Sequence, residues 1–404
     1  MTSEICIMNS LGIVLAADSA VTISGGQSAK TYNTVNKLFS LNKHDIGIMI
    51  NGNANFNKLS LGIVIKEFKK TLGDGKLTTV EEYASRFINF LDSFPEAKTT
   101  FAEIEMITSY SHQLLEYVLE KSQMLINNVL ASEGKIDNDQ VRQIVLHSIT
   151  EVYNIIASGT NIVFDIDKDY LLSNYQELIH TQINMVFNNE IPDDKIKLAF
   201  VNLVFLTLQS DFEIISKSSL VIAGYGNQEV LPSMVELELH GSFNGNILYL
   251  RKRTSYISIE ENKLSAIIPF AQTDMIDTVV NGSHPFVDEH IAKTINDSSL
   301  NEDEKNAIMS KIDEFKFSKF THPFEETIVH LPLEELPHMA ETLINLTSFK
   351  RKYSQNIESV GGPVDILTIT KGEGPIWINR KHYFDAKHNI EYLNRKGGYN
   401  VIEQ

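Results

Sequence analysis

Three residues near the start of the chain have the types needed for nucleophilic catalysis. Thr2 follows Met1, and a small second residue is what methionine aminopeptidase requires, so a cytosolic chain is expected to begin at Thr2. An N-terminal threonine carries its hydroxyl beside its own α-amine. That amine has an unperturbed pKa of roughly 7.7–8.0, so a large share is unprotonated near neutrality, and it can act as general base for the hydroxyl. Threonine is also a common second residue, so Thr2 gains meaning only from its company. In the run Val35–Leu41 the odd positions put Lys37 on one face with Val35, Phe39 and Leu41. A lysine aimed into an apolar face is costly unless paired, and its proton affinity then tends to fall; the alternative is a lysine snorkelling from a strand end. Asp18 closes the run Gly-Ile-Val-Leu-Ala-Ala, where a carboxylate needs a cation or backbone donors unless it is a cap or turn residue. Together Asp18 and Lys37 are expected to form a buried pair that positions the Thr2 hydroxyl and stabilises its deprotonated form.

The elements that must position these residues read as strands. Glu4–Met8 and Gly12–Ala17 form a hairpin joined at Asn9-Ser10-Leu11, apolar on nearly every residue and so expected to be covered on both faces. Val35–Leu41 and Ile46–Ile50 form a second hairpin ended by Gly52. Two helices follow. One spans Asn55–Leu72, with Leu59, Ile63, Phe68 and Leu72 at near-helical spacing. The other spans Thr79–Leu91, with Thr79 as N-cap and Glu81 and Glu82 in its first turn.

From about residue 96 to 212 the pattern is helical almost throughout, with one stripe at Ile144, Val145, Ile149, Val152 and Ile156 and another at Leu198, Val201, Val204, Phe205 and Leu208. The period then returns to strands at Ser219–Gly226, Met234–Leu239 and Ile247–Leu250. A short helix is expected after Pro269, a charged, exposed helical segment over 284–325, a helix over Leu333–Tyr353 and a strand over Val364–Ile369. This order suits an α+β chain in which two antiparallel sheets lie between helix layers.

The residues Thr2-Ser3-Glu4, Gly12-Ile13-Val14-Leu15-Ala16-Ala17-Asp18-Ser19, Asn36-Lys37-Leu38-Phe39 and Ile50-Asn51-Gly52-Asn53-Ala54 resemble a proteasome β-type subunit, a member of the N-terminal nucleophile (Ntn) hydrolases. The Thr2-to-Asp18 spacing is similar to the family's without a gap, and Lys37 falls a few residues late, after the loop Ser24-Gly25-Gly26-Gln27-Ser28. The resemblance covers residues 2–95. It returns at Leu220-Val221-Ile222-Ala223-Gly224 and at Gly361-Gly362-Pro363-Val364-Asp365-Ile366. It implies the four-layer αββα Ntn sandwich as a single domain over 1–404, its core drawn from 2–95, 216–282 and 330–380. Insertions at 96–212 and 284–325 and a C-terminal extension at 382–404 would make up the excess length. It also implies Thr2 as nucleophile, Asp18 and Lys37 as its tuning pair, the Gly52 N–H as an oxyanion-hole donor, and the α-amine as base and then acid.

The chain departs from the family in two places. Pro269-Phe270-Ala271-Gln272-Thr273 stands where the family has a Ser-Gly element, with Thr273 the stand-in. Ile357-Glu358-Ser359-Val360 precedes the glycine pair where the family has an Asp and a Ser, with Glu358 or Ser359 the stand-in. The expected function is threonine-dependent hydrolysis of a peptide or protein substrate. The alternatives are a non-catalytic scaffold or sensor, and an amidase for small molecules. Family precedent also implies a homo-oligomer.

Composition narrows the rest. Of 404 residues, 35 are Lys or Arg and 52 are Asp or Glu, giving a net charge of −17 that disfavours nucleic acid and anionic membranes as partners. A single cysteine excludes an intrachain disulfide and any Cys-rich zinc module, and fits a reducing, cytoplasmic location. No stretch approaches the roughly 18 apolar residues of a membrane span. The apolar start carries Glu4 where a signal peptide needs basic residues. The cluster His284, Asp288 and His290 reads as a solvated stretch and not as a metal site, and Ser24-Gly25-Gly26-Gln27 lacks the ending of a phosphate loop. No metal or cofactor is expected.

Overall fold

The computed structural model describes residues 3–25, 28–41, 43–159, 161–187, 190–353 and 361–391. Its strands are β1 (Ser3–Asn9), β2 (Gly12–Ala17), β3 (Val21–Gly25), β4 (Ser28–Tyr32), β5 (Leu38–Leu41), β6 (Ile46–Gly52), β7 (Asn55–Phe56), β8 (Leu59–Ser60), β9 (Ser218–Gly224), β10 (Ser233–Phe243), β11 (Asn246–Tyr256), β12 (Ser265–Ala271), β13 (Asp365–Thr370) and β14 (Gly374–Asn379). Its α-helices are α1 (Leu61–Thr71), α2 (Val80–Ser93), α3 (Thr100–Glu133), α4 (Asn138–Gly159), α5 (Lys168–Phe187), α6 (Asp194–Gln209), α7 (Asp274–Asn281), α8 (Pro285–Asn296), α9 (Glu302–Lys316), α10 (His322–His330) and α11 (Glu335–Lys352). The protein is α+β with antiparallel sheets.

One five-stranded sheet runs β12-β1-β2-β13-β14 and the other β11-β10-β9-β6-β5. Both strands of the first hairpin are buried at every residue, which is why their sequences carry apolar side chains on both faces. Cys6, Met8, Leu15 and Leu367 of the first sheet meet Met49, Val221, Ala223 and Met234 of the second. The sheets come so close at Gly47 that an added Cβ would lie 2.8 Å from Ile369 Cδ1. The opposite face of the first sheet, with Ile5, Ile7, Val14 and Ile366, is covered by α7, α10 and α11. The opposite face of the second, with Ile46, Ile48, Leu220 and Ile222, is covered by α1 and α2.

Several local expectations are corrected. The first helix begins at Leu61, not Asn55, because Asn57 and Lys58 both adopt positive φ (48° and 64°) and make a two-residue hairpin turn between β7 and β8. That shift changes the buried face to Leu61, Val64, Ile65 and Phe68, leaving Ile63 58% exposed. Thr79 caps α2 by accepting from the Glu82 N–H. Strands β3, β4, β12 and β14 were not read from the sequence. Pro269 lies within β12, where a residue without an N–H is tolerated because β12 is an edge strand.

Helices α3–α6 pack on one another around a cluster that includes Leu114, Ile149, Ile179 and Val204, and this cluster reaches Phe243 and Leu248 of the β10–β11 hairpin. Helices α8 and α9 bury no residue. Among the described residues no helix is long and apolar enough to cross a membrane.

Candidate active site

Asp18 follows the last residue of β2, and the β1–β2 register brings it to the start of β1. Asp18 N–H donates to Ser3 O at 3.1 Å, and Ser3 N–H donates back to Asp18 Oδ1 at 3.1 Å. The same carboxylate accepts from Ala20 N–H at 3.3 Å and from Gly361 N–H at 3.0 Å, both on Oδ2. Lys37 Nζ adds a fourth donor, 2.5 Å from Oδ1. A carboxylate has about four lone-pair sites, so its orientation is fully determined. Asp18 is 1% exposed and Lys37 4%.

Lys37 precedes β5 and does not lie within it. Its carbonyl accepts from Ile50 N–H at 2.9 Å, so the pairing with β6 continues while the side chain departs from strand alternation. Phe39 and Leu41 go to the helix-side cluster. Lys37 turns the other way, toward the first sheet, which corrects the expectation of a face shared with those two. The cause is electrostatic: an ammonium among aliphatic groups is costly, and two carboxylates wait on the opposite sheet.

The second carboxylate is Glu4, which sequence reasoning did not assign. Its Oε1 is 3.0 Å from Lys37 Nζ and its side chain is wholly buried. The signal was available in the alternation of β1. Cys6 and Met8 point between the sheets, so Glu4, two residues earlier, shares their face.

Thr2 lies outside the described residues, as do Glu358 and Ser359. Its covalent neighbour Ser3 is the residue bonded to Asp18. Thr273 comes just before α7 and caps it with no side-chain bond. Since Ser3 pairs with Ala271, the segment Gln272-Thr273 leaves β12 at the same end as the N-terminus of β1. Ala271 has φ 59°, a left-handed backbone that costs a non-glycine residue about 1 kcal/mol or more and often marks functional sites. Gly52 ends β6 with φ +73°, and an added Cβ would meet Lys217 O at 2.6 Å, so only glycine fits. It lies two residues beyond Ile50, and so at the rim beside Lys37.

Two other polar groupings bear on the chemistry. Burial pushes the Cys6 thiol up to about 12, so it is an unreactive core residue and not a competing nucleophile. His284 Nε2 lies 2.8 Å from Lys350 Nζ, while Asp288 accepts from Ser283 and Lys316; these partners are not a metal-ligand set. Asp211, Glu238 and His240 do bring ligand atoms within 4.8 Å of one another. Lys217 is ion-paired with both carboxylates, and Lys252 lies 2.5 Å from Asp211 and 3.9 Å from Glu238. Two ammonium groups already supply the charge that a cation would bring.

No family model matches the chain, and no curated protein does either. Among solved structures, a Gly-1 mutant of Anbu from Hyphomicrobium sp. strain MC1 is similar at 11% identity, over 100% of this chain and 99% of that one, with a TM-score of 0.28.

Proposed function

We propose that the protein is an Ntn-type hydrolase of proteasome β-like construction, with the two sheets and their outer helices forming the four-layer αββα sandwich. In this reading the chain starts at Thr2 after Met1 removal, and Thr2 Oγ1 attacks an amide carbonyl of a peptide or protein substrate. The α-amine takes the hydroxyl proton and later delivers it to the leaving amine; water then hydrolyses the ester on Thr2. Lys37 donates to Asp18 and is ion-paired with Glu4, and in this reading it offers a further N–H to the Thr2 oxygen. Gly52 N–H would receive the developing oxyanion. No cofactor takes part, and the setting would be a cytoplasmic homo-oligomer.

The observation that carries this reading is the buried Asp18–Lys37 pair hydrogen-bonded to the backbone of Ser3, one residue from the expected nucleophile. A second reading, a non-catalytic scaffold, is favoured by a different aspect of the same contacts, since each also ties the first sheet to the second. Intact-mass measurement and turnover of a fluorogenic peptide library decide between them. The hydrolase reading expects loss of Met1 and cleavage abolished by Thr2→Ala. Quantitative retention of Met1, or undiminished cleavage by Thr2→Ala, would leave the scaffold.

A further inference from the structure

Between the α3–α6 block and the second sheet lies a cleft of about 330 Å³, at the small end of the roughly 300–1,000 Å³ of ligand sites. One wall is the segment 53–58 at Asn53, Asn55 and Lys58; the other is α3 at Glu105 and Ser109, and Ser216 closes one end. Asn53 N–H donates to Lys217 O at 3.0 Å, and the same carbonyl lies 2.6 Å from where a Cβ on Gly52 would be. The cleft therefore starts one residue beyond Gly52, and the helical block builds half of it.

Its walls are fixed while several of their polar side chains stay unused. Ser218 Oγ donates to Asn55 O at 2.6 Å, and Asn57 Nδ2 donates to Ala97 O and Ser242 Oγ, both at 3.1 Å. The left-handed backbone of Asn57 and Lys58 is strain of the kind that gathers at ligand clamps. On the far wall Gln113 braces α3 to the start of β9, donating to Ser109 Oγ at 3.0 Å and accepting from Ser216 N–H at 2.7 Å. Asn53 Oδ1 accepts from Asn55 N–H at 3.0 Å. Asn53 Nδ2, the Asn55 carboxamide and the Ser216 hydroxyl take no partner among the described residues. These are hydrogen-bonding groups on a braced frame, which is what preorganised recognition requires.

The charges around the cleft cancel. Lys58 Nζ lies 2.7 Å from Glu105 Oε2, and Lys217 is ion-paired with Asp211 and Glu238. A charged ligand group would meet no opposite charge in excess. An apolar group would strip water from the amides and the hydroxyl and return no hydrogen bond. A carboxamide is neutral and brings two donors and an acceptor. We propose that this cleft is a recognition pocket for an asparagine or glutamine side chain of a peptide. Asn53 and Asn55 on the core side and Ser109 on α3 are its specificity-determining residues. That the bound peptide is also the one cleaved rests on the hydrolase reading; the binding itself does not.

The test measures Kd by saturation-transfer NMR titration of the full-length protein. The ligands are the Nα-acetyl, N-methylamide derivatives of glutamine, asparagine, glutamate and norleucine. The two carboxamide derivatives should bind at least about fivefold more tightly than the other two, the worth of one or two net hydrogen bonds. Ser109→Leu fills the cleft from α3 and Asn55→Ala removes one carboxamide. Each should weaken binding of the glutamine derivative by about fivefold or more, with a thermal melt confirming the fold. Equal Kd values for all four derivatives in the parent would overturn the proposal even if both variants failed to fold. Undiminished glutamine binding in folded Ser109→Leu and Asn55→Ala would also overturn it. Cleavage of fluorogenic peptides with and without glutamine is followed in parallel. If the carboxamide ranking holds and no peptide is cleaved, the hydrolase reading falls and the pocket stands. Cleavage indifferent to glutamine, together with equal Kd values, leaves the hydrolase reading and removes the pocket.

Discussion

Two of the protein's charge clusters are built differently. Between the sheets, Glu4, Asp18 and Lys37 are at most 5% exposed at their side chains. Where β10 and β11 meet the α3–α6 block, Asp211 and Glu238 face Lys217 and Lys252, sum to zero, and range from 9% to 37% exposed. The second group is balanced and partly wet, as expected of a structural joint. The first is dry, and a dry ion cluster is expensive to maintain unless its members are well paired. Similar side chains are thus held in different surroundings, and the distinction lies in their access to water.

The sharpest way to break this contrast is at Thr2. Thr2→Ala should reduce hydrolysis of a fluorogenic peptide library to background with an unchanged melt, while Thr2→Ser should retain part of the rate. Full activity in Thr2→Ala would reduce the inter-sheet cluster to another structural joint. Next in size is Lys37→Ala, which strands two carboxylates in a dry site. Urea unfolding should show a loss of roughly 3–5 kcal/mol, beyond that of any single substitution in the other group. Lys217→Ala leaves Asp211 and Glu238 with Lys252 beside them and some water. Its loss should be about 1–2 kcal/mol, and a value matching Lys37→Ala would erase the contrast. Lys252→Ala, at the more exposed edge, should cost under about 1 kcal/mol and less still at high salt.

The smallest effect concerns protons. Burial, opposed by the Glu238 hydrogen bond, holds the proton affinity of His240 below its ordinary value. The unfolded chain's imidazole takes a proton near pH 6.5, the folded one only at lower pH. Stability present at neutral pH should therefore be lost as pH falls through the unfolded value toward the folded one. Melting curves at pH 7.5 and 5.5 should diverge less for His240→Gln than for the parent; an equal divergence would place the sensitivity elsewhere.

Much of this arrangement was readable in the residues, for physical reasons. Asp18 and Lys37 stood out because each is a charge in an apolar run, and two such anomalies of opposite sign suggest one another. Glu4 carries the same signal, but it sits at the edge of its run, where a charge stands out less. Lys37 was given the wrong face because alternation applies inside a strand, and β5 begins one residue later. The start of α1 was missed because Asn57 and Lys58 form a turn without glycine, where the left-handed backbone has no sequence marker as plain as Asn-Gly. Strand β12 was hidden by Pro269, which argues against a strand unless the strand is known to be an edge, and that is a property of the sheet.

The segment holding α8 and α9 has roots at both ends. It leaves after Gly282, where any Cβ would strike the Phe320 ring at 2.4 Å, so departing and returning chain touch. It rejoins the body where Asn9 Nδ2 donates to Ile328 O at 2.9 Å and to Leu331 O at 3.0 Å, a clamp from the tip of the first hairpin. Because both roots are pinned and nothing between them in α8 or α9 is buried, evolution can lengthen, shorten or replace the stretch beyond the pins without disturbing either sheet. Selection on the fold should therefore weigh on Gly282 and Asn9, and the helices between them should drift.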